Sequence, residues 1–445
     1  MLVSLVVTST LARLASSLLM ELQRIDGVNP MRPLKMLDVC CGIGGFTYAA
    51  KVNGNIETIC ASETDTYNVK FIDRNLQLDN CGDASLIAVS ESEHPYAEMI
   101  ANDDIVPCEE TGFTSLTMQD WLEGVIDWPD IWCSGFPCQD VSQANTQSEG
   151  IGINGPKSGL VLNNLDSIES LEPPYCVFEN SNMLPKRGLP YILSRFAEMG
   201  YIVEWEIVAA ANFGYPHYRK RCYVVAYLPD SAVARSGKRV FDNVRKNANK
   251  LPNHTIPLGH EDPEYIKSVA VVENTRSIKL RTKRLNSLGN SIITDIPIAI
   301  FESITNAEKS APQNKAPKPL KAEKYVASLL SNGWGKVQVD LFDDSSTEYL
   351  EAIPDRGIMI NGEIHSGEPD PVLNPNYNVY KGLYSTIIAR DGNNNFTTRS
   401  RLNRPGKLGG LTGDIMKLGV DVGGLHPEFC ESFLGFPKGY TELAY

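Results

Sequence analysis

Short apolar runs alternate with amphipathic segments over roughly the first two thirds of the chain. Apolar runs bounded by Gly, Pro and polar residues are typical of buried strands, and a period near 3.6 residues indicates helices. The alternation predicts an α/β fold, in which a mostly parallel twisted sheet of Rossmann-like type carries helices on both faces. The predicted strands are 35–39, 56–61, 130–133, 175–178 and 222–227, and the predicted helices are 46–52, 160–170 and 191–199.

The pattern changes after residue 304, where a segment rich in Lys, Pro and Ala begins, and such a composition is typical of a linker. At the other end, residues 1–31 are apolar but lack the basic start and small-residue cleavage site of a secretory signal. Secretion remains the alternative for that segment. We predict an N-terminal extension (1–31), a main domain (32–304), a linker (305–325) and a smaller C-terminal region (326–445).

The 445 residues are 42% hydrophobic and 21% charged, which is a globular composition. No apolar run reaches the ~18 residues that a membrane helix needs, so no membrane association is expected. The net charge is −13, but residues 51–130 hold 17 Asp and Glu against 3 Lys and Arg, whereas residues 215–285 hold 15 Lys and Arg against 6 Asp and Glu. The basic stretch favours contact with a polyanion, while ordinary solvated surfaces explain the same counts, and both interpretations stay open.

Cysteine usage points to a reducing compartment. The ten cysteines are scattered and include no Cys-X-X-Cys pair, so the sequence predicts neither a metal site nor a thioredoxin-like site. A long chain with sparse cysteines is typical of the cytoplasm, where a special cysteine is more often catalytic than structural.

Glycines follow the first predicted strand in the segment Gly42-Ile43-Gly44-Gly45-Phe46, and the next strand ends at Glu63. A glycine turn lets the backbone approach a ligand closely, and a carboxylate after the second strand suits a pair of ribose hydroxyls. Together they favour an adenosine-containing cofactor. The spacing is not the G-x-G-x-x-G of a dinucleotide fold, and a simple tight turn explains the glycines equally well.

A second cluster, Gly135-Phe136-Pro137-Cys138-Gln139, follows the predicted strand 130–133. This position lies at the carboxyl end of a parallel sheet, where ligands bind. A thiol on a rigid loop is a candidate nucleophile, and a small buried hydrophobic residue is the alternative for any single cysteine.

Six short blocks follow one another between residues 36 and 304. They are Gly42-Ile43-Gly44-Gly45-Phe46, Gly135-Phe136-Pro137-Cys138-Gln139, Lys157-Ser158-Gly159-Leu160, Glu179-Asn180-Ser181, Gly214-Tyr215-Pro216-His217-Tyr218-Arg219-Lys220-Arg221 and Leu288-Gly289-Asn290-Ser291-Ile292. In this order they resemble the DNA (cytosine-5)-methyltransferase family. Two positions depart from the family pattern, because Ser181 stands in place of a valine and His217 in place of a glutamine.

The resemblance implies a role for each block. Cys138 would add as a thiolate to carbon 6 of cytosine, Glu179 would bind the base at ring nitrogen 3 and the amino group, and Arg219 and Arg221 would hold the base near its carbonyl. S-adenosylmethionine would be the methyl donor, and the target base would flip out of the duplex. The cofactor residues implied are Phe46, Gly42, Gly44, Glu63, Leu160 and Asn290. The family's acidic adenine contact has no clear counterpart before Cys138, where Asp104 and Asp120 are out of register, and it stays unassigned.

The order of the blocks departs from the usual family order, since about 65 residues separate Arg221 from Gly289 and about 140 follow the last block. The tail is similar to a module of phage and prophage cytosine methyltransferases, in residues 386–391, 425–429 and 434–441. We therefore expect target recognition in the C-terminal region. The predicted DNA contacts are Gln139, Ser142, Arg390, Arg399, Arg401 and Arg404.

The resemblance implies a monomer that acts on double-stranded DNA in the cytoplasm of a bacterium or a phage-infected host. Three roles stay open: partner of a cognate restriction nuclease, self-protection of a phage genome, and orphan regulation. Two alternatives stay open. One is a methyltransferase of the same chemistry that acts on tRNA, and the other is a catalytically silent DNA-binding regulator. Intact Cys138, Glu179 and Arg219 argue against the second.

Overall fold

The computed structural model describes residues 32–89, 118–142, 152–248, 263–310, 323–338, 346–350, 352–368, 372–373, 384–393, 410–419 and 423–444. The predicted N-terminal extension 1–31 lies outside the described residues, as do Asp104, Arg399, Arg401 and Arg404.

Eleven of the described strands form one sheet, in the order β10-β9-β8-β12-β11-β5-β6-β4-β3-β1-β2, and β13 pairs with β7 separately. The strands are β1 (Leu34–Val39), β2 (Ile56–Ser62), β3 (Ile131–Ser134), β4 (Tyr175–Ser181), β5 (Ile202–Ala209), β6 (Lys220–Tyr227), β7 (Val271–Val272), β8 (Lys324–Leu330), β9 (Gly333–Gln338), β10 (Ser346–Tyr349), β11 (Arg356–Ile360), β12 (Glu363–Ser366) and β13 (Gly424–Leu425).

Helices connect the strands, and none of those described is both long and apolar enough to cross a bilayer. The α-helices are α1 (Gly45–Asn53), α2 (Thr66–Phe71), α3 (Met118–Leu122), α4 (Leu160–Leu171), α5 (Leu184–Arg187), α6 (Leu189–Glu198), α7 (Ala232–Ser236), α8 (Val240–Ala248), α9 (Pro263–Ala270), α10 (Arg281–Asn290), α11 (Asp295–Ser310), α12 (Gly410–Met416) and α13 (Pro427–Ser432).

The predicted α/β fold is confirmed, and the sheet is mixed. Strands β2, β1, β3 and β4 are parallel neighbours, whereas β6 runs antiparallel to both β4 and β5. Only the short segment 210–219 connects β5 to β6, and parallel strands need a crossover of about a dozen residues or more. The parallel strands β2, β1, β3 and β4 form one end of the sheet, the parallel half. Ligands are therefore expected at the loops that follow the carboxyl ends of these strands.

The first part of the C-terminal region extends this same sheet. Strand β11 pairs antiparallel with β5, and β12, β8, β9 and β10 continue outward from it. A buried ion network fixes the junction: Arg239 Nε lies 3.1 Å from Glu204 Oε2, and Arg239 Nη1 lies 3.0 Å from Glu323 Oε2. Helix α11 continues to Ser310, past the predicted start of the linker at residue 305.

Two apolar clusters cover the two faces of the central strands. The end of the chain belongs to the first cluster, where Phe433 and Phe436 are buried together with Phe46 and Phe301. The C-terminal segment 423–444 therefore packs against the glycine turn and helix α1, far back along the sequence, and becomes part of the wall behind the site.

Candidate functional site

A cleft of about 820 Å³ opens at the carboxyl ends of β1, β3 and β4. It brings together nine of the twelve candidate residues that the sequence singled out in the main domain. Those lining it are Gly42, Phe46, Glu63, Cys138, Gln139, Leu160, Glu179, Arg221 and Asn290. Gly44, Ser142, Arg219 and Arg390 are not among its lining residues.

The glycine turn after β1 is built from left-handed backbone. Gly42 has φ +60° and Gly44 has φ +69°, a region that side chains of L-residues rarely adopt. A Cβ on Gly44 would lie 2.6 Å from Leu76 Cδ1, whereas a Cβ on Gly42 would meet nothing within 4 Å. Gly44 is thus required by packing and conformation, while Gly42 presents bare backbone to the cleft.

The Glu63 carboxylate holds the glycine turn in place. Its Oε2 accepts a hydrogen bond from the Gly42 backbone N–H at 2.8 Å, and its Oε1 accepts from the N–H groups of Thr64 and Asp65 at 2.7 and 2.8 Å. Asn68 Nδ2 lies 3.4 Å from Oε2. A ribose hydroxyl pair would therefore compete with, or add to, bonds that the chain already makes to this carboxylate.

Sequence reasoning missed Asp83. This exposed residue lines the cleft, and its Oδ1 caps the short turn Ala84–Leu86 by accepting from the Ser85 N–H at 2.9 Å. Asp120, in helix α3, does not line the cleft. The sequence signal is the turn pair Gly82-Asp83, two residues after Asn80, but it stands more than fifty residues before Cys138, whereas the resemblance implies an acidic contact roughly twenty residues before that cysteine.

The loop carrying Cys138 is pinned from several sides. The Cys138 carbonyl accepts hydrogen bonds from the N–H groups of Val141 and Ser142, and Arg187 Nη1 donates to the carbonyls of the same two residues at 3.0 and 3.1 Å. The thiol itself is half-buried at the cleft wall. The thiol on this fixed loop is therefore held in position without being enclosed.

Asp140 joins this loop to the Lys157-Ser158-Gly159-Leu160 block. Its Oδ2 accepts from the N–H groups of Lys157 and Ser158 at 2.9 and 2.8 Å, while the Ser158 hydroxyl donates to the Pro137 carbonyl at 2.7 Å. A Cβ on Gly155 would collide with the Asp140 carboxyl at 2.4 Å. The third block therefore positions the second.

Glu179 lies on β4 with its side chain only 9% exposed, and Arg221 Nε lies 3.0 Å from its Oε1. Burial raises the pKa of Glu179, while the charges of Arg221 and Arg219 lower it, with burial the larger effect. A Cβ on Gly135 would lie 4.0 Å from Glu179 Oε2, so Gly135 leaves the approach to that oxygen open. The net effect is that the pKa of the Glu179 carboxyl lies above its ordinary value even beside the Arg221 guanidinium.

Arg219 is buried behind the cleft and bonded to the chain. Its Nη1 donates to the Thr386 hydroxyl and the Ile387 carbonyl at 3.1 and 3.0 Å, and its Nη2 donates to the carbonyls of Gly289 and Ser291. Burial is the main cause that lowers the pKa of this guanidinium to about 9. These contacts tie the residue that precedes β6 to the end of α10 and to residues 386–387 of the C-terminal region, and we call this arrangement the clamp.

The two departures from the family pattern are both buried. His217 stacks on Phe433, with ring centroids 4.4 Å apart, and its Nε2 lies 2.7 Å from the Phe433 carbonyl. Ser181 lies at the end of β4, opposite Arg221. His217 therefore anchors the C-terminal segment to the block that carries Arg219 and Arg221.

The chemistry of the cleft fits an adenosine-bearing sulfonium cofactor. Bare backbone at Gly42, carboxylates at Glu63 and Asp83, and apolar side chains at Phe46 and Leu160 face one space. Phe46 is 2% exposed and also packs 6.3 Å from the ring of Phe301. Acidic groups suit ribose hydroxyls, an exocyclic amine and the positive end of such a molecule.

Residues 114–332 match the family model described as C-5 cytosine-specific DNA methylase. The chain is similar to Type II methyltransferase M.Sau3AI of Staphylococcus aureus, with 34% identity over 108 residues that cover 23% of this chain and 26% of that protein. It is also similar to Type II methyltransferase M.HpaII of Haemophilus parainfluenzae, with 27% identity over 271 residues that cover 59% of this chain and 64% of that protein. These matches span less than two thirds of either relative.

Among solved structures, the chain resembles the S. pombe Dnmt2 methyltransferase at 16% identity and a TM-score of 0.35, over 55% of this chain and 66% of that one. The C-5 DNA methyltransferases use S-adenosylmethionine as methyl donor. Residues 114–332 thus match the model of the C-5 cytosine-specific DNA methylase family, and the chain is similar to Type II methyltransferases over part of its length.

Proposed function

We propose that this protein methylates carbon 5 of cytosine in double-stranded DNA at a specific sequence, through a covalent adduct with Cys138 and a flipped-out base. The observation that carries the proposal is that Cys138 and the Glu179–Arg221 pair line the same cleft as the glycine turn and Glu63. The proposed nucleophile, the proposed acid and the residues proposed to bind the cofactor therefore line one cleft.

Cys138 supplies the nucleophile. Carbon 5 of cytosine reacts poorly with electrophiles, and addition of the thiolate to carbon 6 moves electrons onto carbon 5. The pinned loop holds the sulfur at the cleft wall, so little ordering of the loop is needed when the base arrives. Loss of the carbon 5 proton later expels the thiol and restores the aromatic ring.

Glu179 acts at ring nitrogen 3. Burial raises its pKa, so a larger fraction of the carboxyl carries a proton near neutral pH than an exposed glutamate would. Donation of that proton neutralises the negative charge that develops on the ring when the thiolate adds. Arg221, next to it, places positive charge beside the base carbonyl.

S-adenosylmethionine supplies an electrophilic methyl group when it is bound. Gly42 would face its amino-acid portion, Glu63 the ribose hydroxyls and Asp83 the adenine amino group, with Phe46, Leu160 and Asn290 around them. Gly44 acts through the shape of the turn, and Arg219 acts as a structural clamp, because its donor groups on Nη1 and Nη2 are used by the chain.

The proposed substrate is duplex DNA. Because a base inside the stack cannot enter such a cleft, the target cytosine flips out of the duplex, which costs a few kcal/mol. We further propose that residues 326–445 contribute target recognition, that the protein acts as a monomer in the cytoplasm of a bacterium or phage-infected host, and that a cognate restriction nuclease is its partner. The resemblance of the tail to a phage module supports the first of these.

The direct experiment is expression in a methylation-free host, followed by bisulfite sequencing of the host DNA. We expect 5-methylcytosine at one short sequence for the wild type and none for Cys138→Ser. Wild-type protein that binds S-adenosylmethionine but leaves every cytosine unmodified would refute the proposal.

A further inference from the structure

Helix α10 divides its basic residues between the core and the surface. Arg281 and Arg284 are buried, with Arg281 Nε donating to the Leu425 carbonyl at 2.8 Å and Arg284 Nη2 lying 2.9 Å from Glu431 Oε1. Lys283, between them, is exposed, and within the described part of the chain it has no carboxylate partner. Its charge therefore has no role in packing this helix.

The same helix lines the cleft one turn further on. Asn286, Ser287 and Asn290 are all lining residues. Lys283 precedes Asn286 by three positions and Ser287 by four, so it lies on the same face of the helix, about 5 Å along the axis. Lys283 therefore lies one helical turn from the residues of α10 that line the cleft.

A second exposed cation lies on the turn Ala389–Asn393, which packs directly on α10. A Cβ on Gly289 would lie 2.1 Å from the Ala389 backbone nitrogen, and the Thr282 hydroxyl donates to the Gly392 carbonyl at 3.3 Å. Arg390 on this turn is exposed, and no described carboxylate pairs with it. The adjacent Asp391 is buried, and the Asp391 Oδ2 accepts a hydrogen bond from the Ile388 N–H at 2.9 Å. The Asp391 carboxylate is therefore in the interior and not on the surface with Arg390.

We propose that Lys283 and Arg390, the basic pair, form a phosphate-binding site for the DNA backbone at the rim of the cleft. This inference rests on the proposed function and adds a contact from α10 to it. The two exposed cations lie about a hundred residues apart in sequence, one on α10 and one on the turn packed against it, and neither forms an ion pair with a described carboxylate. Such contacts hold the register of the duplex and carry no sequence preference.

The test is the salt dependence of DNA binding, measured by fluorescence anisotropy with a labelled pool of random-sequence duplexes. Each phosphate contact adds about 0.9 to the slope of log K against log salt, so Lys283→Gln with Arg390→Gln should lower that slope by about 1.8. The matched control is Lys51→Gln with Arg74→Gln, which removes the same charge from exposed positions that do not line the cleft. The control should keep the wild-type slope.

An unchanged slope in the Lys283/Arg390 variant, with wild-type DNA binding intact, would overturn the basic pair and leave the proposed function standing. An equal drop in the control would also overturn it, because the effect would then come from net charge alone. If the wild type binds no duplex at any salt, the proposed function fails together with the pair. Cofactor affinity and melting temperature should match those of the wild type, since neither side chain is buried.

Discussion

The Tyr440 hydroxyl donates a hydrogen bond to the Ile43 carbonyl at 2.9 Å, so that the end of the chain holds the glycine turn near its beginning. The Tyr440 ring stacks on Phe436 at 4.5 Å and meets the edge of Tyr48 at 5.4 Å. Because the Ile43 carbonyl is tied on this side, the turn keeps the Gly42 backbone facing the cleft. The tail is therefore part of the candidate cofactor site as well as a candidate reader of DNA.

Tyr440→Phe removes that hydrogen bond and keeps the stacked ring. A single hydrogen bond contributes about 1 kcal/mol, so we expect a several-fold weaker affinity for S-adenosylhomocysteine by calorimetry. Tyr349→Phe, which changes an exposed tyrosine on the edge strand β10, is the matched control and should bind like the wild type. Equal affinities in the two variants would mean that the tail does not support the turn.

Glu63→Gln tests the second interaction that fixes the glycine turn, which is the hydrogen bond from the Gly42 N–H to the Glu63 carboxylate. The amide loses acceptor capacity toward the N–H groups of Gly42, Thr64 and Asp65 and toward a ribose, and hydrogen bonds to a charged group contribute about 1.5–3 kcal/mol. We expect cofactor affinity to fall at least tenfold. Glu57→Gln, at an exposed position on β2, the strand that Glu63 directly follows, controls for the lost charge. Unchanged affinity in Glu63→Gln would assign the ribose to another residue.

Arg219→Ala should destabilise the protein, because it leaves the carbonyls of Ile387, Gly289 and Ser291 buried without their donor. An unsatisfied buried polar group costs about 1–3 kcal/mol, so the loss in the free energy of unfolding should reach about 3 kcal/mol or more. Urea unfolding measures it, with exposed Arg74→Ala as the reference. A change below about 1 kcal/mol, together with lost methyl transfer, would instead favour direct contact between Arg219 and the base.

The pH dependence of methyl transfer reports on Glu179. Its raised pKa keeps the acid form populated to higher pH than for an ordinary glutamate, and the rate should fall as pH rises through that pKa because the proton donor is lost. Glu179→Gln should lower the rate by about 10²–10⁴ and abolish this alkaline limb. An alkaline limb that persists in Glu179→Gln would show that another group is the acid.

Much of the parallel half of the sheet could be predicted, because its strands are short apolar runs that end at chemistry-bearing loops. Strand β5 was missed, since Glu204 and Glu206 interrupt its apolar pattern and are neutralised only through Arg239 and other distant partners. The mixed sheet and its extension by β8–β12 depend on pairing across more than a hundred residues, which no local pattern encodes.

The site residues also divide into those that a local motif predicts and those whose role depends on distant contacts. Cys138, Glu179 and Arg221 were found by motif, and all three line one cleft. The clamp role of Arg219 was invisible, because its partners Thr386 and Ile387 lie far along the chain. Asp83 was missed because the long acidic segment between it and Cys138 displaced it from the interval where an acidic contact was expected.

Covalent trapping tests the central claim most directly. DNA containing 5-fluorocytosine cannot lose a proton at carbon 5, so the adduct with the nucleophile persists. With S-adenosylmethionine present, the wild type should form a complex that survives denaturing electrophoresis, and mass spectrometry should locate the methylated fluorocytosine on Cys138. Cys138→Ser should form none while binding the cofactor normally, because a hydroxyl is much harder to ionise than a thiol. A trapped complex in Cys138→Ser, or an adduct on any other residue, would contradict the account.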